Sequence, residues 1–170
     1  AHRVFGDPWP DVSDEALLAR AEEWLDLDAL AAGRGSDATS GLRGLLGWQE
    51  SARLDEVAPE TITVPSGSRI RVDYPEPGSD TSPVLAVKLQ ECFGWTDGPT
   101  VCDGRGRVVL HLLSPARRPL AVTDDLASFW ASVYPAVRVE NRGRYSKHPW
   151  PEDPMTATPT KRTNRALRGN

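Results

Sequence analysis

The chain has 170 residues and a formal net charge of −4, with 39% apolar and 26% charged side chains. That is enough to bury one ordinary core, and too apolar a composition for a disordered chain. Two cysteines, Cys92 and Cys102, exclude a disulfide framework and lack zinc-site spacing, while no apolar run approaches the roughly 20 residues of a membrane span.

The start at Ala1 shows no charged-then-apolar leader. A reducing cytoplasm and no membrane partner are expected, and the missing initiator Met points to a segment of a longer polypeptide. Ser13 ahead of Asp14 and Glu15 reads as an N-cap with acids in the first turn. Leu17, Leu18, Ala21, Trp24 and Leu25 then recur at helical spacing, which predicts a helix running to about Asp28. Residues 33–38 are a flexible connection. Leu42, Leu45, Leu46, Leu54 and Val57 predict one or two further short helices. Gly41, Gly44 and Gly47 weaken them, each by about 1 kcal/mol relative to alanine, so packing through Trp48 is expected to hold them.

The period changes at Pro59. Residues 61–64 and 69–74 alternate about Pro65-Ser66-Gly67-Ser68, the pattern of a hairpin. Ile62, Val64, Ile70, Val72 and Tyr74 would face the core, leaving Thr63, Arg69, Arg71 and Asp73 outside. Val84-Leu85-Ala86-Val87 predicts a buried strand turning into a short helix through Leu89, Cys92 and Phe93. After a loop over 94–106, residues 108–113 form a strand ending at Ser114-Pro115, with Leu120-Ala121-Val122 as partner. Thr123-Asp124-Asp125 repeats the capping signature, and Leu126, Phe129, Trp130, Val133 and Val137 mark the buried stripe of a final helix. Pro135 disfavours a helical Tyr134 and should kink or restart that helix near Ala136. The expected organisation is α+β. A helical unit over 1–58 precedes a small, mostly antiparallel β core with a covering C-terminal helix over 59–154. An extended, Pro-rich and disordered basic tail over 155–170 ends it.

The usual catalytic devices are missing: there is no glycine-rich phosphate loop, nucleophile elbow or metalloprotease helix. His2, His111 and His148 are scattered, and His111, within Val-Val-Leu-His-Leu-Leu, reads as a sheet-face histidine rather than a base. Glu152 and Asp153, adjacent in a Pro-flanked loop, offer no acid–base geometry. Charge carries more information. Residues 1–64 hold 5 basic and 13 acidic side chains (−8), residues 65–135 hold 7 and 8 (−1), and residues 136–170 hold 8 and 3 (+5).

Arg105, Arg107, Arg117 and Arg118 flank the 108–113 strand and would join Arg69 and Arg71 in one basic patch, unless they are simply scattered over the surface. Arg142, Arg144, Tyr145, Lys147, His148 and Trp150 interleave cations with aromatics as base stacking and phosphate contact require. The plainer alternative is that Trp150 and its neighbouring prolines pin the chain end to the domain. These twelve residues are the candidate nucleic-acid contacts; no residue is assigned a catalytic or metal-binding role.

Four strings carry a family resemblance: Val64-Pro-Ser-Gly-Ser-Arg-Ile-Arg-Val-Asp-Tyr74, Val84-Leu-Ala-Val-Lys-Leu-Gln-Glu-Cys-Phe-Gly94, Leu110-His-Leu-Leu-Ser-Pro-Ala-Arg-Arg-Pro119 and Gly143-Arg-Tyr-Ser-Lys-His-Pro-Trp-Pro-Glu-Asp-Pro154. They resemble the C-terminal region of HrpB-type bacterial helicases. The resemblance implies a DEAH-like, superfamily 2 parent whose two RecA-like lobes bind ATP and Mg upstream of residue 1. On that reading this fragment is a non-catalytic accessory domain without a cofactor of its own. Its partners would be the helicase's motor domains and single-stranded RNA or DNA. The competing reading is a protein-docking module that touches no nucleic acid. One shared arginine face would favour the first, dispersed arginines the second.

Overall fold

Side-chain caps start the N-terminal helices. In a computed structural model describing residues 1–168, Ser13 Oγ accepts from the Ala16 N–H at 3.4 Å, Asp26 from Ala29 at 2.9 Å and Asp37 from Ser40 at 3.1 Å. Each such cap contributes about 1 kcal/mol. The helices are His2–Phe5 (α1), Asp14–Ala19 (α2), Ala21–Trp24 (α3), Leu27–Ala31 (α4), Ala38–Gly44 (α5) and Trp48–Val57 (α6).

Two compact units divide the chain. The first comprises 1–59, 75–81 and 101–106, and the second 60–74, 82–100 and 107–170.

Within the first unit, the single helix expected from Ser13 to Asp28 is broken. Arg20 leaves helical geometry (φ −120°, ψ 25°), and its guanidinium grips Glu23 at 2.6 Å. The break re-aims the apolar stripe, so Leu18 is 76% exposed instead of buried. The Trp24 indole N–H bonds the Leu17 carbonyl at 2.9 Å and bridges α2 and α3. The expected packing through Trp48 does not occur, since that side chain is 80% exposed at the start of α6. A close approach of α3 and α5 holds the region instead. A Cβ on Gly41 would lie 1.8 Å from the Trp24 carbonyl oxygen, so glycine is required there.

The second unit is built on strands. Thr61–Thr63 (β1) pairs antiparallel with Arg69–Arg71 (β2), Ile62 opposite Ile70. The neighbouring Val64 and Val72 are buried as expected, whereas Tyr74 is exposed. Val84–Lys88 (β3) runs directly into a 3₁₀ turn, Leu89–Cys92. Thr100–Val101 (β4) and Gly106–Arg107 (β5), whose residues Val101 and Gly106 belong to the first unit, form a short two-stranded ladder. Val109–Leu113 (β6) is the central strand of a three-stranded sheet. It lies parallel to β3 and antiparallel to Pro119–Thr123 (β7).

Strand alternation places Leu85, Val87, Leu110 and Leu112 in the core. There they join Leu126, Phe129, Trp130 and Tyr134 of the C-terminal helical segment. Trp130 is central to that cluster, 5.0 Å from Phe129, 5.3 Å from Tyr134 and 6.1 Å from Phe93 between ring centroids. At 2% exposure Gln90 is also buried, and its amide nitrogen finds no hydrogen-bond partner among the described residues.

Pro135 acts as expected by interrupting the helix, but the interruption falls before it. After Leu126–Ser128 (α7), residues Phe129–Val133 form a π turn, and Tyr134–Arg144 (α8) resumes the α geometry. Proline offers no N–H to the preceding turn and crowds its carbonyl. Widening that turn removes the conflict, so Tyr134 is helical (φ −54°, ψ −40°) and Pro135 sits in the first turn of α8, where prolines fit.

Beyond α8, residues 145–154 strap back over the helix. Arg138 Nε donates to the Trp150 carbonyl at 2.9 Å, the Tyr134 hydroxyl to the Pro151 carbonyl at 2.8 Å, and the Gly94 N–H to the Pro154 carbonyl at 3.0 Å. Composition predicted a disordered tail from Met155, and the structure differs. The Thr160 N–H donates to the Gln90 carbonyl at 2.8 Å, the Asn164 N–H donates to the Lys147 carbonyl at 2.8 Å, and Asn164–Arg168 (α9) is helical. Backbone groups satisfied by the body of the unit offset the polar composition. Residues 169–170 of that expected tail lie outside the described residues.

Candidate nucleic-acid interface

Strand alternation in β2 aims Arg69 and Arg71 to the same side, both exposed. The Arg69 guanidinium is steadied by Thr61 Oγ1 at 2.9 Å. Beside β2, the outward positions of β3 are Ala86 and Lys88, and the turn after β6 presents Arg117. These elements enclose an open groove of about 410 Å³, lined by Arg69, Arg71, Ala86, Lys88, Leu113 and Arg117 with Glu91 among them. Four cations therefore share one concavity. Arg71, Lys88 and Arg117 form no ion pair with any described residue.

The local chain works to present Arg117. Ser114 is fully buried; its N–H donates to the Arg118 carbonyl at 2.8 Å and its Oγ accepts from the Arg118 N–H at 3.0 Å. The Arg117 N–H closes the turn on the Ser114 carbonyl at 2.8 Å. Arg117 consequently has φ 60°, a left-handed conformation costing a non-glycine residue about 1 kcal/mol or more.

Glu91 is 6% exposed, a carboxylate held at the groove wall by the 3₁₀ turn. Its Oε2 accepts from the Ser66 hydroxyl at 2.7 Å, and its backbone carbonyl from the Ser66 N–H at 3.3 Å. Neither Lys88 nor Glu91 was among the sequence candidates. Lys88 shares the period-two face of Ala86, a signal that was available; Glu91 lies inside an apolar run and gives none.

The remaining candidates do not converge on the groove. Arg107 faces Asp124 at 3.9 Å, and Arg118 is exposed outside the groove lining. Arg105 belongs to the first unit, 5.2 Å over the Phe5 ring. Arg142 and Arg144 occupy the last turn of α8, where cations suit the helix dipole, and Arg144 lies 5.8 Å from the Tyr145 ring centre. Lys147 is exposed. Burial, then the Lys88 charge, holds the His148 imidazole below its ordinary range. Trp150 is 9% exposed and its indole N–H bonds the Tyr145 carbonyl at 3.2 Å, which packs its ring into the fold and ties it to the end of α8. His111 sits between Ala86 and Val122 in the sheet register, the sheet-face position expected of it.

Comparison with known proteins agrees with this architecture. The family model HrpB_C, ATP-dependent helicase C-terminal, matches residues 21–154. The chain belongs to that family. It is 47% identical over 162 residues to the ATP-dependent RNA helicase HrpB of Escherichia coli K12, covering 92% of this chain and 20% of that protein. Among solved structures, that of the E. coli DExH-box NTPase HrpB aligns with a TM-score of 0.78 at 46% identity, over 91% of this chain and 19% of the other. A second, described as E. coli DEAH/RHA helicase HrpB, aligns with a TM-score of 0.63 at 45% identity, over 84% and 18%. The chain thus spans about one fifth of the length of these relatives.

Proposed function

We propose that this domain is a non-catalytic accessory module of an ATP-dependent helicase that steadies single-stranded nucleic acid by holding its phosphates in the groove. The observation that carries the reading is the convergence of Arg69, Arg71, Lys88 and Arg117, drawn from β2, β3 and the β6–β7 turn, on one concave surface. Uncompensated cations in a cleft raise the local concentration of a polyanion. The strained backbone of Arg117 supports it, since such conformations persist where a side chain is needed in place. ATP and magnesium belong, on this reading, to motor lobes elsewhere in the longer protein, and those lobes are the domain's protein partners.

Fluorescence anisotropy of labelled single-stranded RNA, titrated with this chain at several salt concentrations, tests the proposal. Three to four phosphate contacts predict log K falling with log salt at a slope of about −2 to −3. Absence of salt-sensitive binding at low ionic strength overturns it.

A docking reading keeps one specific support in the first unit. Trp48 and Leu18 are exposed on a segment whose residues 1–64 carry a charge of −8, a surface suited to protein rather than to nucleic acid.

A further inference from the structure

The groove holds more than cations, and the odd group is a buried acid. Glu91 is almost completely withdrawn from solvent, yet lines the same concavity as Arg69, Arg71, Lys88 and Arg117. One carboxylate oxygen receives the Ser66 hydroxyl; the carboxylate has no ion-pair partner within 4.0 Å among the described residues. An ionised carboxyl offers about four acceptor sites and no donor. A surface evolved only to attract phosphate gains nothing from a carboxylate in its wall, because the acid repels the ligand that the arginines draw in. The combination suits a ligand carrying a negative group and, beside it, a hydrogen-bond donor.

We propose that the groove takes a ribonucleotide unit of single-stranded RNA, its phosphate held by Arg69, Arg71 and Arg117 and its ribose 2′-hydroxyl donating to Glu91. The 2′-hydroxyl is the donor that a ribose has and a deoxyribose lacks, and a hydrogen bond to a charged acceptor is among the stronger neutral-donor contacts. Ser66 holds one oxygen of the acceptor: it bonds Glu91 Oε2 at 2.7 Å while lying 3.1 Å from the Ser68 hydroxyl, so that oxygen is engaged before any ligand arrives. The cations supply affinity without regard to sugar, and Glu91 supplies the choice of RNA over DNA. This inference rests on the phosphate-binding reading of the groove.

The test varies the ligand first, so that it does not depend on a substituted protein folding. Anisotropy titrations of this chain would compare one sequence as single-stranded RNA, as DNA and as 2′-fluoro RNA, which retains a ribose-like pucker without the donor. RNA is expected to bind about tenfold more tightly than either analogue. A Glu91→Ala chain, with its fold checked by circular dichroism, should bind all three alike, at or above the affinity of the unsubstituted chain for DNA because the repelling charge is gone. Equal binding of RNA and 2′-fluoro RNA by the unsubstituted chain overturns the Glu91 role and leaves the phosphate groove intact. No salt-dependent binding of any of the three overturns both.

Discussion

The Tyr134 hydroxyl donates a 2.8 Å hydrogen bond to the Pro151 carbonyl, tying the first turn of α8 to the strap that runs back over it. Replacing Tyr134 with Phe keeps the ring in its aromatic cluster and leaves the carbonyl without this donor. The expected loss is about 1 kcal/mol, read from the denaturant midpoint at unchanged slope.

Tyr134 also sets an alkaline limit. Burial raises its phenol from 10.0 to about 12, with the Arg138 charge opposing in part. A raised acid favours the neutral form in the fold. Its contribution is therefore fully present below pH 10 and is lost as pH rises through about 12. Stability should fall across that interval, and Tyr134→Phe should flatten the fall; an identical alkaline profile in the variant would contradict this assignment.

Two glycines of α5 should respond oppositely to the same substitution. Gly41→Ala drives a methyl into the Trp24 carbonyl and should destabilise by about 2 kcal/mol or more. Gly44 has open space around its Cβ position and no left-handed backbone, so Gly44→Ala should stabilise by about 0.5 to 1 kcal/mol. Thermal unfolding of the two variants side by side gives the comparison.

Groove and surface arginines should separate in their salt dependence. Arg71→Ala or Arg117→Ala is expected to weaken RNA binding across sequences and to flatten the log–log salt slope by about 0.7. Arg34→Ala, exposed in the other unit, should leave the slope unchanged.

Cys92 is fully buried, and burial, helped by the Glu91 charge, pushes its thiol far above the usual range. It should resist maleimide in the native chain at neutral pH and react only as denaturant opens the unit, followed by mass spectrometry of the labelled peptides. Rapid labelling of the folded chain would contradict the burial.

Much of this architecture is legible in residue order because its signals are local. The β1–β2 hairpin follows from alternation about Pro65–Ser68, and Arg69 and Arg71 inherit a shared face from the same rhythm. Pro135 announces a helix fault, although nothing local says that a π turn will absorb it. What stays hidden depends on distant partners. A buried run such as Val84–Val87 reads the same whether its neighbour is parallel or antiparallel, so the pairing of β3 with β6 has no sequence signature. Thr160 looks like tail composition until its N–H is seen to meet the Gln90 carbonyl. Glu91 shows the same limit at the site: within Leu-Gln-Glu-Cys-Phe an acid resembles a solvated interruption, and only the assembled groove gives it a use.

The parallel pairing of β3 with β6 also orders events during synthesis. Val84 meets Val109 and Lys88 meets Leu113, so β3 has no sheet partner on that side until Leu113 has left the ribosome. A chain stalled before that point would carry Leu85 and Val87 uncovered, an apolar strand edge of the kind that chaperones capture and that associates with other chains. Once β6 emerges, β7 follows at once through the short Ser114–Arg118 turn, and the three strands can close together.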